Sequence, residues 1–178
     1  MIELLVRSWP LLETAVPMTL FLGLSSFCLG SVLGLAIAFL RLSATRLVRW
    51  SAFAYVSVFR GTPLYVQLLV LYTGVYTLEV VKGSELLNAF FRSGLNCTLL
   101  ALMLNTCAYT TEIFAGAIRA VNHGEIEAAR AYGFSPAKMY CCLTLPAALR
   151  IALPAYSNEV ILMLHSTSLA FTATVPDL

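Results

Sequence analysis

Formal charge is scarce in this chain: only 11% of its 178 residues are Asp, Glu, Lys or Arg, whereas 60% are hydrophobic. In a soluble domain about a quarter of the residues are charged. The mean hydropathy of +0.85 is therefore typical of a membrane protein. Because each crossing needs about 20 apolar residues, the chain has room for about four or five spanning helices and not for a separate soluble catalytic domain.

Three further features are missing, and each excludes a class of function. The five cysteines lack the spacing of a zinc site or a secreted disulfide framework, so we predict no metal site and interpret them as buried small side chains. The Gly-x-x-x-x-Gly-Lys-Ser/Thr phosphate loop is absent, so the chain is not expected to bind or hydrolyse ATP. The net charge of +2 comes from scattered arginines, which argues against nucleic acid as a partner.

Four apolar runs predict the membrane-spanning helices. We place them at residues 14–40, 55–78, 93–118 and 151–171. The first run is too long for the apolar core of a signal peptide and is expected to be retained. Within it, Gly30 and Gly34 lie about one helical turn apart, which lets helices approach closely, either within one complex or between two copies of the chain.

Basic residues indicate the orientation of these helices. Arg41, Arg46 and Arg49 form a compact basic loop, and the polar segment at residues 119–150 holds four Lys and Arg residues. Cytoplasmic loops of membrane proteins carry an excess of Lys and Arg. Both loops are therefore predicted to be cytoplasmic, which places the amino terminus in the periplasm.

The cytoplasmic loop at residues 119–150 contains the most informative pattern. Asn122 begins a capping-box pattern, and Gly133 is a suitable helix stop. Ser135-Pro136 provides an N-cap and a first residue for a second helix, which we expect Pro146 to break or bend. The pattern predicts a helix, a glycine elbow and a helix, serving either as an ordinary connection or as a surface that docks in a partner's groove.

This loop resembles that of the permease subunits of ATP-binding-cassette importers, where a Glu-Ala-Ala, Gly and Ile-x-Leu-Pro pattern marks the contact with the ATPase. The coupling residues that the resemblance implies are Gly124, Glu127, Ala128, Ala129, Gly133, Leu145 and Pro146. Leu143 replaces the usual isoleucine. The similarity covers nearly the whole chain and is closest to the polar amino acid branch, through residues 59–64, 105–116, 153–159 and 167–169.

The resemblance implies an all-α, polytopic membrane helix bundle of the MetI-like type in the bacterial inner membrane. It also implies an importer for histidine, lysine, arginine and ornithine. The implied partners are a second homologous permease, a dimer of ATP-binding subunits that uses ATP and Mg, and a periplasmic binding protein. The chain itself is then neither an enzyme nor directly bound to a cofactor.

The chain departs from the family at two places. Many relatives carry a Lys-Asp pair where this chain has His165-Ser166, which changes the charge of the helix expected to line the pathway. The family also continues past residues 176–178 into another spanning helix, so a fifth span is expected that this sequence does not contain.

Polar residues in the spans are candidates for the substrate pathway, because an ionisable side chain in the bilayer is costly and usually has a function or a partner. They are Arg60, Asn158, Glu159, His165, Thr167 and Ser168. Glu159 pairs either with a cationic substrate or with a neighbouring helix. His165 is either a neutral hydrogen-bonding residue or a proton switch. Glu112 either forms a salt bridge, contributes to helix packing or belongs to the pathway.

Arg60 precedes a helix-breaking sequence, Gly61-Thr62-Pro63, which is expected to interrupt the second span and free backbone groups to line a cavity. Arg60 then either binds a substrate carboxylate or extends to the membrane surface.

Two other functions stay open. One is a permease for other polar amino acids such as glutamine. The other is an autonomous proton-coupled carrier in which Glu112, Glu159 and His165 form a proton relay.

Overall fold

The computed structural model describes residues 2–167, with side chains for residue 13 and residues 16–167. These residues are almost entirely helical and contain no strand, which confirms the predicted all-α class. The helices are α1 (Ile2–Arg41), α2 (Arg46–Gly61), α3 (Leu64–Leu69), α4 (Glu79–Lys82), α5 (Glu85–Arg92), α6 (Gly94–Arg119), α7 (His123–Ala131), α8 (Pro136–Met139) and α9 (Leu145–Ser166). The π-helical turns Val70–Val75 and Tyr140–Thr144 directly follow α3 and α8.

Three helical segments within residues 2–167 are long and apolar enough to cross a membrane. They are Val16–Arg41, Gly94–Arg119 and Pro136–Ser166. The segments Arg46–Gly61 and Leu64–Val75 make a fourth crossing if they are taken together, although they are bent by 105° relative to each other. The last of these segments begins at Pro136, where the sequence predicts the second helix of the loop, and continues without interruption through the region predicted as the last span.

Pro146 does not break this last helix, so the first of the two effects predicted for it, a break or a bend, is wrong. A proline inside a regular α-helix removes a hydrogen bond and crowds the preceding turn. Here the wider turn Tyr140–Thr144 comes first, and the Leu145 N–H donates to the Tyr140 carbonyl. Pro146 therefore lies in the first turn of α9, where a missing N–H costs little. Helical structure continues from α8 through α9.

α6 is the central helix and packs against α1, α2, α3 and α9. Gly30 and Gly34 of α1 make the closest approach to α6 possible. A β-carbon on Gly30 would lie 2.7 Å from the Met103 carbonyl oxygen, and one on Gly34 would lie 2.7 Å from the β-carbon of Thr110. The two glycines therefore serve packing within this chain, the first of the two uses that their spacing allows.

Replacing Gly34 by Ala should lower the temperature of thermal unfolding in detergent. The added methyl group would meet a β-carbon and the Cys107 carbonyl oxygen at 2.8 Å, neither of which can rotate away. Overpacking of this kind costs about 1–3 kcal/mol. Gly116→Ala is the matched control, because a β-carbon there meets no atom within 4 Å. Equal unfolding temperatures for the two variants would contradict this packing.

Two tyrosines connect α2 and α9 to the packed helices α1 and α6. The Tyr55 hydroxyl of α2 donates to the Leu104 carbonyl of α6 at 2.7 Å, and the Tyr156 hydroxyl of α9 donates to Ser31 of α1 at 2.7 Å. The Tyr156 ring also contacts Phe114, with 5.4 Å between ring centroids. These part-buried hydrogen bonds position α2 and α9 against the central pair α1 and α6, which sets the geometry of the site described below.

Candidate functional site

The break between α2 and α3 forms one wall of the site. α2 ends at Gly61, the Thr62 N–H still donates to the Val58 carbonyl, and Pro63 then supplies no N–H to continue the helix. The interruption predicted from Gly61-Thr62-Pro63 is present. It leaves backbone carbonyls without helical partners, which is costly within a membrane unless another group donates to them.

Gln67 of α3 is that donor. Its side chain is 8% exposed, and Nε2 donates to the Phe59 carbonyl at 2.7 Å and to the Thr62 carbonyl at 3.0 Å. Its Oε1 accepts from Nδ2 of Asn105 on α6 at 3.4 Å. Gln67 therefore holds both sides of the break and links it to the central helix. The sequence reading missed Gln67; a lone amide side chain in an uncharged apolar run is the signal that could have revealed it.

A cavity of about 650 Å³ lies between this break, α6 and α9. Its polar lining comes from Arg60, Thr62, Asn105, Thr106, Tyr109, Glu159, His165 and Ser166. Binding sites for small molecules commonly have volumes of about 300–1,000 Å³. The cavity is therefore large enough for an amino acid, and three of the predicted pathway residues, Arg60, Glu159 and His165, meet in it.

The cavity has one cationic and one acidic wall. The Arg60 guanidinium lies over the Tyr109 ring, with 5.1 Å between Cζ and the ring centroid, which fixes its position without consuming its donors. Glu159 is only 6% exposed and faces the cavity from α9. A buried acid in a membrane span needs a cationic partner or a proton. The arrangement can hold a molecule that carries both a carboxylate and a cation.

Substituting Gln67 by Met should destabilise the protein by about 1–3 kcal/mol, because the part-buried carbonyls of Phe59 and Thr62 lose their donor. It should also raise the substrate concentration for half-maximal uptake, since Arg60 lies on the break that Gln67 holds. Thermal unfolding and uptake measurements test both effects. Thr73→Val is the control, because its exposed hydroxyl donates only to the Leu69 carbonyl within its own turn. Matching behaviour of the two variants would contradict the role of Gln67.

Two other predicted pathway residues, Asn158 and Thr167, do not line the cavity. Asn158 is exposed, because neighbouring residues of a helix point about 100° apart and Glu159 takes the inward direction. Thr167 is buried, and its hydroxyl donates to the Leu164 carbonyl at 2.7 Å. Ser168 lies outside the described residues. Their roles in the pathway stay predictions.

Glu112 lies apart from the cavity and pairs with Arg41 at the end of α1. Its Oε2 is 3.7 Å from Nε of Arg41, close enough for charge attraction but too far for a hydrogen bond. The salt-bridge interpretation of Glu112 therefore has a geometric basis. A relay through Glu112, Glu159 and His165 does not, because only the last two of these residues line the cavity.

The second functional surface is the short helix α7. Asn122 caps it, with Oδ1 accepting from the Gly124 N–H at 2.9 Å. A capping box also needs the Glu125 side chain to accept a hydrogen bond from the Asn122 N–H, and the described contacts do not include this bond. A single side-chain cap therefore starts the helix.

Gly133 ends α7 and forms the predicted elbow. Its φ of +76° is the left-handed conformation that glycine adopts without steric cost. The Gly133 N–H donates to the Arg130 carbonyl and the Phe134 N–H to the Ala129 carbonyl, the two bonds of a Schellman motif. Ser135 then caps α8 by accepting from the Lys138 N–H, with Pro136 as the first helical residue. The elbow fixes the direction in which α7 leaves the bundle.

α7 turns one side toward the bundle and the other outward. Ala129 is buried, whereas Gly124, Glu127 and Ala128 are exposed and Tyr132 is 85% exposed. Of the remaining coupling residues, Leu145 is half-buried and Pro146 exposed. Small residues on the outward side allow close approach by another protein.

The cysteines fall into two groups. Cys97 and Cys107 are buried as predicted, but Cys28, Cys141 and Cys142 are exposed, so the interpretation of all five as buried is wrong for these three. A thiol is a small and weakly polar group, which can face lipid or a partner helix at little cost. Among the described residues, no group of three or more His, Cys, Asp or Glu side chains is arranged to hold a metal ion.

Comparison with known proteins gives consistent results. Residues 30–175 match the family described as binding-protein-dependent transport system inner membrane component. The chain is 65% identical to the histidine/lysine/arginine/ornithine transport system permease protein of Salmonella typhimurium, over all of this chain and 79% of that protein. The chain is 67% identical to the protein of the same name from Escherichia coli K12, over all of this chain and 78% of that protein. It is 45% identical to the nopaline transport system permease protein of Agrobacterium fabrum, over 98% of this chain and 72% of that protein.

Two solved structures share this architecture. An amino acid ABC transporter solved with histidines superimposes with a TM-score of 0.82 and 32% identity, over 97% of this chain and 75% of that chain. The inward-facing MetNI methionine ABC transporter superimposes with a TM-score of 0.70, over 93% of this chain and 76% of that one; at 21% identity it shows the fold alone. The predicted MetI-like membrane bundle is confirmed.

Proposed function

Because the chain belongs to the family of binding-protein-dependent transport system inner membrane components, we propose that it is the permease subunit of an ATP-driven importer for basic amino acids. Its substrates are histidine, lysine, arginine and ornithine, the substrates in the names of the relatives that are 65% and 67% identical to it. The observation that carries the proposal is the cavity lined by Arg60 and Glu159.

The charges of this cavity complement those of a basic amino acid. Such a substrate carries a carboxylate and an α-ammonium group, and lysine, arginine and ornithine carry a second cation on the side chain. Arg60 offers a guanidinium, which can bind a carboxylate through two parallel hydrogen bonds in a bidentate geometry. Glu159 offers the carboxylate for a cationic group, while Asn105 and Ser166 provide neutral hydrogen-bonding groups. Glutamine has no cationic side chain, so its only positive group is the α-ammonium group, and an acid in the cavity favours substrates with a second cation.

The coupling surface lies on α7, and the helix that follows it leads to the cavity. The exposed residues Glu127 and Ala128 dock in the ATP-binding subunit, and the Gly133 elbow sets the docking angle. From Pro136 the chain is helical through to Ser166, so one continuous element carries both the segment next to the elbow and Glu159. Movement of the ATP-binding subunits is thereby transmitted to the cavity and alternates its access between the two sides.

The proposal also includes the partners and the orientation. A second homologous permease completes the pathway, a dimer of ATP-binding subunits uses ATP and Mg, and a periplasmic binding protein delivers the substrate. The basic loop at residues 41–49 and the loop that contains α7 face the cytoplasm, and the amino terminus is periplasmic. This subunit performs no hydrolysis itself and binds no cofactor directly.

Reconstitution tests the proposal. The chain is purified with its permease and ATP-binding partners, placed in proteoliposomes with the binding protein outside, and assayed with labelled arginine, lysine, histidine and glutamine. We expect uptake of the basic amino acids that requires internal ATP and the ATP-binding subunit. Uptake driven by a proton gradient without that subunit would support the autonomous carrier instead. A preference for glutamine would contradict the assignment of basic substrates.

A further inference from the structure

A second cavity, of about 270 Å³, lies where α1 ends and α2 begins. Its lining residues are Arg41, Arg49, Trp50 and Phe53. Arg41 is the last residue of the apolar segment Val16–Arg41, so the cavity lies at the edge of the hydrocarbon layer, where lipid headgroups begin. The cavity is separate from the one lined by Glu159, and no part of the transport proposal uses it.

The two arginines give this cavity a net positive charge. Arg41 lies over the Phe53 ring at 4.7 Å and near Glu112, but its guanidinium donates no hydrogen bond to any residue whose side chain the structure describes. Among the residues with described side chains, Arg49 also forms no ion pair. The cavity is therefore lined by two guanidinium groups and no carboxylate, the nearby Glu112 pairs with Arg41 alone, and most of the guanidinium N–H donors are unused. Planar guanidinium groups with free donors are well suited to bind a phosphate.

The aromatic residues distinguish a lipid phosphate from a free one. Trp50 is 63% exposed and packs edge-on against Phe53, with ring centroids 5.8 Å apart. Exposed Leu47 lies one turn before them on α2. Tryptophan at the membrane interface packs against the glycerol and upper acyl region of lipids. Free phosphate would use the arginines and gain nothing from these apolar neighbours.

We propose that this cavity binds an anionic phospholipid of the inner membrane, with Arg41 and Arg49 holding its phosphodiester and Trp50 and Phe53 packing against its glycerol region. An anionic lipid such as phosphatidylglycerol fits better than a zwitterionic one, because the headgroup of the latter brings an ammonium group toward two guanidinium groups. Bound lipid would connect the end of α1 to the start of α2, the first helix of the bent pair Arg46–Gly61 and Leu64–Val75.

Lipid titration of the assembled transporter, followed by native mass spectrometry, tests this site. Phosphatidylglycerol and phosphatidylcholine are titrated against the wild type, Arg49→Gln and the control Arg92→Gln, which removes an equal charge at the end of α5, outside the cavity. We expect wild type and Arg92→Gln to prefer phosphatidylglycerol. Arg49→Gln should bind it about tenfold more weakly, the lower end of the loss expected for a hydrogen bond to a charged group. Millimolar inorganic phosphate should not displace the lipid.

Three results would overturn the proposal. The first is equal binding of phosphatidylglycerol by Arg49→Gln and Arg92→Gln, and the second is displacement of the lipid by inorganic phosphate alone. The third is an Arg49→Gln variant that binds the lipid normally but loses the ATP-binding subunit. The second would indicate a site for a free anion, and the third a contact with protein. If Arg49→Gln does not assemble, Trp50→Ala replaces it, because this exposed ring can be removed without opening the core. Severalfold weaker phosphatidylglycerol binding is then expected, and unchanged binding would refute the site.

Discussion

Substituting Glu159 by Gln should reduce the apparent affinity for arginine and lysine about 10- to 100-fold, because a hydrogen bond to a charged group contributes about 1.5–3 kcal/mol. The amide keeps the size of the side chain and removes only its negative charge. Glu159 is buried and lines the same cavity as Arg60, so solvent does not replace the lost interaction. Initial rates of ATP-driven uptake at a series of substrate concentrations measure the effect.

Glu112→Gln is the matched control for this experiment. It removes an acid from α6 that pairs with Arg41 and does not line the cavity. We expect it to alter thermal stability while leaving the concentration dependence of uptake close to that of the wild type. If Glu159→Gln transports arginine with unchanged concentration dependence, Glu159 pairs with a neighbouring helix and not with the substrate.

Substituting Gly133 by Val should abolish transport and substrate-stimulated ATP hydrolysis while the protein still inserts in the membrane. A β-branched residue at a φ of +76° is strongly strained, and left-handed backbone costs ordinary residues about 1–2 kcal/mol. The chain would relieve this strain by opening the elbow, which redirects α7 and its exposed residues Glu127 and Ala128. Hydrolysis measured with and without substrate and binding protein reports the loss of coupling.

Gly133→Asn separates backbone geometry from side-chain size. Asparagine tolerates the left-handed conformation better than other non-glycine residues, and a β-carbon at this position meets no atom within 4 Å. We expect Gly133→Asn to keep much of the activity that Gly133→Val loses. Normal stimulated hydrolysis in Gly133→Val would contradict the docking role of α7.

Features with local causes could be predicted from the sequence. The break at Gly61-Thr62-Pro63 and the elbow at Gly133 follow from the backbone preferences of proline and glycine. The Ser135 cap follows from the side chain's ability to accept a hydrogen bond from the first turn. Pro146 shows the limit of such rules, because the preceding π-helical turn Tyr140–Thr144 accommodates the proline.

Features that depend on tertiary contacts could not be predicted. The partner of Gln67 on α6, Asn105, lies 38 positions away in the sequence, and no local pattern indicates that these amides meet. Periodicity also could not decide which of the neighbours Asn158 and Glu159 faces the cavity, because that depends on how α9 is rotated against α6. For the same reason, the sequence left a salt bridge of Glu112 as one of several alternatives and did not indicate Arg41 as its partner.

Substrate protection of a cysteine in the cavity tests the central claim most directly. The exposed residues Cys28, Cys141 and Cys142 are replaced by serine, and a cysteine is introduced at Ser166 in the cavity or at Ser157, which is exposed on α9 outside it. Labelling by a neutral thiol reagent is followed in the assembled transporter with and without saturating arginine. The account predicts that arginine slows labelling of Ser166→Cys and leaves Ser157→Cys unaffected. Equal labelling of Ser166→Cys with and without arginine would contradict it.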